Sequence, residues 1–315
     1  MAKDTAKQTK AKENYRLNNW SEYNNSLKKR GSLSIWFDDS VKDNWLYNGA
    51  QKPGGKKIYS DMAIEFCLTI RSLFHLPYRQ TEGMVSSLLK MMLLDLPVIS
   101  YTQFNRRTKH IDIKLNNSKD AIHIAVDSTG LKVYGEGEWK VRKHGWCKHR
   151  TWRKMHIAVN IDTLAIEAVS VTGNDADDGS QVEPLLNTIN GNIISFRGDG
   201  GYDKKKVRQI LAASEIKQII PPQENAVIKD ERAHYAIERN EAIKKIRQTD
   251  RVTWKKEMNY HKRSLAEVSM YRYKIIFTAS LQSRKIEYEQ KEVAFKCKLL
   301  NRMKDLGMPK SYKVA

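Results

Sequence analysis

The stretch Tyr260–Lys274, YHKRSLAEVSMYRYK, has no Gly or Pro and sets apolar Leu265, Val268 and Met270 among polar residues. That spacing predicts an amphipathic helix running into a strand. On such a helix Arg263 and Glu267 are four apart and Lys274 lies seven beyond the acid, close to two full turns. Tyr260, seven before Glu267, joins the same face. An acid framed by two cations and a phenol suits a site where the carboxylate holds a metal ion and its neighbours hold phosphates. It also suits an ion-paired, solvated helix face, so the choice depends on the rest of the chain.

Upstream, the pattern alternates. AIHIAV places Ile122, Ile124 and Val126 on one face of a strand, with Asp127 at its C-terminal end ahead of Ser128, Thr129 and Gly130. MHIAVNI, residues 155–161, joins through Asp162 and Thr163 to AIEAVSV as an antiparallel hairpin. A short helix is expected around 182–189. A strand at 193–196 then delivers Asp199 into GDGGYD, a helix follows at 207–213, and a fifth strand at 216–220 stops at Pro221 and Pro222. This order gives an α/β fold with a mixed sheet. Asp127 and Asp199 are 72 residues apart and Glu267 lies 68 further on, so only the fold can bring them together. Three converging carboxylates would repel one another, and a divalent cation with a preference for oxygen, such as magnesium, relieves that.

The first third reads as helical. Asn19 is an expected N-cap for a helix over 20–30, and 32–59 reads as loops. Ser60 caps DMAIEFCLTIRSLF, with Ile64, Cys67, Leu68 and Leu73 available for a core, and a second helix runs from Tyr78 to about Leu94. Ser100 and Gln103 form a capping box for a short polar helix carrying Gln103, Asn105, Arg106, Arg107 and Lys109. Three helices in this order fit either a helix-turn-helix, its last member reading a DNA major groove, or an ordinary three-helix bundle.

Lys and Arg total 56 against 36 Asp and Glu, a net charge of +20, which points to a polyanionic partner. No stretch has the ~18 consecutive apolar residues of a membrane-spanning helix and the first dozen residues have no apolar core, so a cytoplasmic protein without a membrane partner is expected. Cys67, Cys147 and Cys297, odd in number and far apart, suit buried thiols in a reducing compartment. The Lys-rich leader, about 15 residues, is expected to be disordered.

Taken together, Tyr260, Arg263, Glu267 and Lys274 reproduce the Y-x2-R-x3-E-x6-K signature, and the chain resembles bacterial insertion-sequence DDE transposases. YHKRSLAEVSMYRYK, DSTGLKVYGEGEW and RGDGGYD resemble the insertion-sequence-five group, apart from Gly200-Gly201 where related sequences often have Gly-Ala. The resemblance implies an RNase H-like catalytic domain over 116–315, with a charged helical excursion at about 222–256, preceded by an N-terminal DNA-binding region over 1–115. It implies Asp127, Asp199 and Glu267 as a triad holding two magnesium ions, replaceable by manganese, with Asp127 bridging them. Tyr260, Arg263 and Lys274 would contact DNA near the cleaved end. Double-stranded DNA, as terminal inverted repeats and target, is the implied partner, engaged by a homodimer or larger assembly at the nucleoid.

Two other constellations are weaker. His144, Cys147, His149 and His156 match no common zinc spacing, and a basic loop in which Lys143, Lys148, Arg150 and Lys154 hold phosphate suits them better. Asp175, Asp177, Asp178 and Gly179 lack the distal Glu of a calcium loop and read as a solvated turn. The excursion is either a solvated helical segment or a DNA grip using Arg247, Arg251, Trp254 and Lys255.

Overall fold

The computed structural model describes residues 14–50, 53, 55–115, 118, 120–133, 152–230 and 232–314. Expectations placed on residues 1–13 and on Lys143, His144, Cys147, Lys148, His149 and Arg150 lie outside the described residues. Six helices lead the chain: α1 (Trp20–Arg30), α2 (Leu33–Trp36), α3 (Asp39–Asp43), α4 (Asp61–Leu73), α5 (Tyr78–Met91) and α6 (Tyr101–Thr108). Ser60 caps α4 by accepting from the Ala63 amide, and Ser100 caps α6 by accepting from the Gln103 amide. Asn19 does not cap α1 with its side chain. It donates to Met308 O and accepts from the Lys310 amide instead, which ties the two ends of the chain together. Beside that tie, β1 (Asn14–Leu17) pairs antiparallel with β8 (Ser311–Val314). The N-terminal region is therefore not wholly helical, and Asn14 and Tyr15, expected to be disordered, lie in a strand. Segment 32–59, read as loops, carries α2 and α3 because its aromatics are core: Trp36 and Trp45 are buried, and Phe37 and Trp45 both meet the Phe66 ring edge-on.

The main sheet contains β2 (Ala121–Val133), β3 (Trp152–Asn160), β4 (Ile166–Gly173), β5 (Asn192–Arg197) and β6 (Lys217–Ile219) in the order β4-β3-β2-β5-β6. The first three are antiparallel neighbours, while β5 and β6 run parallel to β2, giving the mixed sheet expected from the order of elements. One correction concerns β2. Asp127 sits inside the strand, not at its end, because β3 pairs with β2 from Ile124 through Lys132. Ser128, Thr129 and Gly130 look like a turn by propensity, but ladder hydrogen bonds override it. A Cβ on Gly130 would stand 3.1 Å from the Trp152 ring, so that close crossing favours a residue without one.

Helices cover both faces. α7 (Val182–Asn187) and α8 (Lys205–Ala213) close one side over Ile122, Ile124, Val126 and Phe196. α9 (Ile237–Gln248) and α10 (Arg251–Glu257) form the excursion. It is docked rather than solvated: Trp254 is buried with Ile219 and Ala242, while Arg247 and Arg251 donate to Ala226 O and Pro222 O. On the opposite face lie α11 (Ser264–Phe277) and α12 (Ile286–Asp305), separated by the two-residue strand β7 (Ser280–Leu281). Their apolar cluster runs without a break into α4, α5 and α6.

α11 departs from its sequence reading in three ways, the first being that it begins at Ser264 after a 3-10 turn over Tyr260–Arg263, which leaves Tyr260 outside the helix. It continues past Lys274 to Phe277 before the short β7 begins, and its buried stripe is Ala266, Met270, Tyr273 and Phe277, leaving Val268 exposed. Tyr273 and Phe277 are almost wholly buried, a burial worth roughly 1.5–3 kcal/mol for a phenylalanine-sized side chain. That anchorage fixes which residues of α11 face the sheet edge.

Candidate active site

β5 is paired with β2 as far as Ala125↔Arg197, and β7 takes up the same edge only at Lys132↔Ser280. Between them β2 has a described strand partner on its β3 side only, which opens a notch. Two residues beyond the last β5 pair, on either strand, stand Asp127 and Asp199. Parallel strands in register therefore bring two acids 72 residues apart level with one another. Alternation turns Asp127 to the side of Ala125, the face on which α11 packs, and turns Ser128 to the other. α11 supplies Glu267 from its first turn and Lys274 from its last, and the 3-10 turn Tyr260–Arg263 leads Arg263 in ahead of it.

Arg263 bridges the acids. It donates to Asp127 Oδ2 at 2.8 Å and pairs with Glu267 Oε1, while Asp127 Oδ1 accepts from the Ser128 amide at 2.8 Å. Burial raises the Asp127 carboxyl above the usual range; the Ser128 amide and Arg263 oppose this, and Asp199 and Glu267 reinforce it. Asp127 thus feels both of the other acids. Asp199 is exposed and accepts from the Gly201 amide at 2.8 Å, at the head of a 3-10 turn. Gly198 makes that turn possible, since a Cβ there would lie 2.8 Å from the Tyr202 ring and 2.9 Å from Phe196. Lys274 Nζ reaches Thr129 Oγ1 at 2.6 Å, and burial lowers its pKa. Tyr260 stacks near Trp254, with the Lys255 ammonium 5.2 Å from its ring centre, and burial raises its pKa.

Among the described residues no group of three His, Cys, Asp or Glu side chains is gathered as a metal set; Arg263 stands where a counter-ion would. The donor set is nonetheless suitable. Three carboxylates and no nitrogen or sulfur ligand match a hard divalent cation, and the burial that raises Asp127, with Asp199 and Glu267 adding to it, is what such a cation would offset.

The sequence reading missed the support beneath β2. Ser128 Oγ donates to Asp178 Oδ2 at 2.9 Å, and Lys154 donates to Asp178 Oδ1 at 3.1 Å and to Ala176 O at 2.8 Å. Asp178 is thus no solvated turn residue, and Lys154 is occupied in holding β3 to that turn. His156, fully buried, shares a hydrogen bond with Thr172. Only the place of His156 in the alternating run MHIAVNI was visible beforehand.

The α6 candidates lie apart from the notch. Gln103, Arg106 and Lys109 are exposed and Asn105 is half-buried; Lys109 pairs with Glu287 at 3.2 Å, and Arg107 is held by Tyr59 O and Asp61.

Two family models, each described as a transposase DDE domain, match this chain, one over residues 28–136 and the other over 118–302. Among solved structures the chain is similar to piggyBac transposase in a synaptic complex with hairpin DNA. That match has 10% identity and a TM-score of 0.38, over 88% of this chain and 73% of that one. It is also similar to the Drosophila P element transposase in a strand transfer complex, with 13% identity and a TM-score of 0.32, over 90% of this chain and 71% of that one.

Proposed function

This chain belongs to the transposase DDE domain family, and on that premise we propose that it is the transposase of a bacterial insertion sequence of the insertion-sequence-five group. It binds the terminal inverted repeats of its element, cuts the DNA ends and joins them to a target. The observation that supports this reading is the notch, where strand register sets Asp127 level with Asp199 and Arg263 links Glu267 of α11 to Asp127.

Asp127, Asp199 and Glu267 would hold the metal. Magnesium, replaceable by manganese, is the ion these oxygens suit, and a bound pair supplies an acidified water or DNA 3′-hydroxyl for attack on phosphorus and counter-charge for the leaving oxygen. The chain's own groups do the positioning. Arg263, paired with two acids when DNA is absent, turns to a DNA phosphate, for which its planar fork is suited. Lys274 holds a second phosphate as a point charge, and Tyr260 lines the approach. Hydrolysis comes first and strand transfer second, and no covalent enzyme intermediate is needed.

Residues 1–115 form the end-recognition region, with Gln103 and Asn105 on α6 suited to adenine, Arg106 and Arg107 to guanine, and Lys109 to phosphate. Two ends must be held together, so the active form is a homodimer or larger, acting on DNA in the bacterial cytoplasm. No helix of the described residues is long and apolar enough to cross a membrane.

The test is a nicking assay on duplexes made from the DNA flanking the coding region, with and without magnesium. Metal-dependent cuts at the repeat ends, lost in Asp127→Asn, Asp199→Asn and Glu267→Gln while duplex binding persists, are expected. Cutting that ignores the repeat would favour a general nuclease, and binding with no cutting by the unaltered chain would leave only a DNA-binding protein.

A further inference from the structure

A second basic feature lies along β2 from the notch. After β7 the chain turns through Gln282, Ser283, Arg284 and Lys285 into α12, and these four residues wall a cavity of about 290 Å³ with Tyr78, Asn105 and Tyr288. The lining combines two cations, two phenols and two amides, and includes no acid. Asn105 comes from α6 and Tyr78 from the first residue of α5, so the cavity joins the N-terminal helices to the strand that carries Asp127.

The cationic lip is held rigidly. Glu292, buried in α12, accepts from the Gln282 amide at 3.0 Å and the Ser283 amide at 2.8 Å, and Lys296 pairs with it at 2.6 Å. The Arg71 guanidinium lies 4.5 Å from the centre of the Tyr78 ring, which packs against Phe104. Arg284 and Lys285 themselves are exposed at the mouth. Fixed backbone beneath exposed cations lowers the ordering cost of gripping an anion.

We propose that this cavity is a phosphate clamp that grips the DNA backbone beside α6, away from the acid notch along β2. It rests on the DNA-processing reading above and adds a place to it. Five residues separate Asp127 from Lys132, the β2 partner of Ser280, and strand rise puts that point roughly 17 Å from the acid. At about 3.4 Å of rise per nucleotide, this is near five base-pair steps. DNA that runs from the notch along β2 therefore meets the lip beside α6. Phosphate is the group recognised, and the side chains reading it are Arg284 and Lys285, with the phenols of Tyr78 and Tyr288 as neutral donors.

The experiment measures binding of the full chain to a 40-base-pair duplex of arbitrary sequence by fluorescence anisotropy across a sodium chloride series. Each lost phosphate contact lowers the salt slope by about 0.9. Arg284→Ala with Lys285→Ala should lower it by roughly two and weaken binding about tenfold or more at low salt, whereas Arg284→Lys with Lys285→Arg should keep the slope. Lys28→Ala with Lys29→Ala, on α1 away from the cavity, should lose less than half as much. An unchanged slope in the Arg284/Lys285 alanine variant, or an equal loss in the α1 variant, overturns the clamp while the DNA reading stands. Absence of salt-dependent binding by the unaltered chain overturns both.

Discussion

α11 and α12 each carry, or are led into by, an acid and a cation four residues apart, and the two pairs have opposite fates. Glu292 and Lys296 on α12 have side chains only 3% and 2% exposed, whereas Arg263 and Glu267 are 19% and 53% exposed. Burial alone would raise the Glu292 carboxyl; Lys296, Arg71 and the Gln282 amide overcome it and hold the group at about 2. At the notch the balance goes the other way, since Asp127 stays raised despite Arg263. The satisfied pair serves the fold. The open pair, bonded through Arg263 to Asp127 as well, leaves a carboxyl whose charge burial still disfavours.

The largest effect that would break this contrast lies in α12. Glu292→Ala strands a buried ammonium and frees two backbone amides, so urea unfolding should show a loss of about 3–5 kcal/mol. Asp127→Asn should change stability by less than about 1 kcal/mol by the same measurement, because burial already disfavours its charge. Next comes acid. Glu292 is lowered from its ordinary 4.5 to about 2, so its contribution is complete above about pH 4.5 and lost as pH falls through about 2. That amounts to roughly 3 kcal/mol, read as a fall in stability that Glu292→Gln lacks. Gly198→Ala should cost about 1–3 kcal/mol by overpacking against Tyr202 and Phe196, and should displace Asp199, so DNA cleavage should fall with stability in this variant. The smallest effect belongs to the open pair: Glu267→Gln should cost no more than about 0.5 kcal/mol in thermal or urea unfolding.

The mixed sheet was legible from alternation, and so was the helical spacing that sets Arg263 four residues before Glu267, because residue spacing on strands and helices is local information. The strand lengths were not. Ser128-Thr129-Gly130 carries turn propensity, and only the β3 ladder and the Trp152 crossing show why it is extended. The face of α11 was misjudged for a related reason. Val268 is as apolar as Met270, but the neighbours that bury Met270 come from other parts of the chain. Asp178 was missed because its partners Ser128 and Lys154 lie 50 and 24 residues away, on two different strands. Arg263 was read as a phosphate ligand from its spacing alone, and its bridge between Asp127 and Glu267 required the fold.

The most direct test of the central claim is magnesium-dependent cleavage of repeat-end duplexes by Glu267→Gln, assayed beside its unfolding curve. The account predicts near-native stability and duplex binding with cleavage abolished. Cleavage at the unaltered rate by a stably folded Glu267→Gln protein would contradict it.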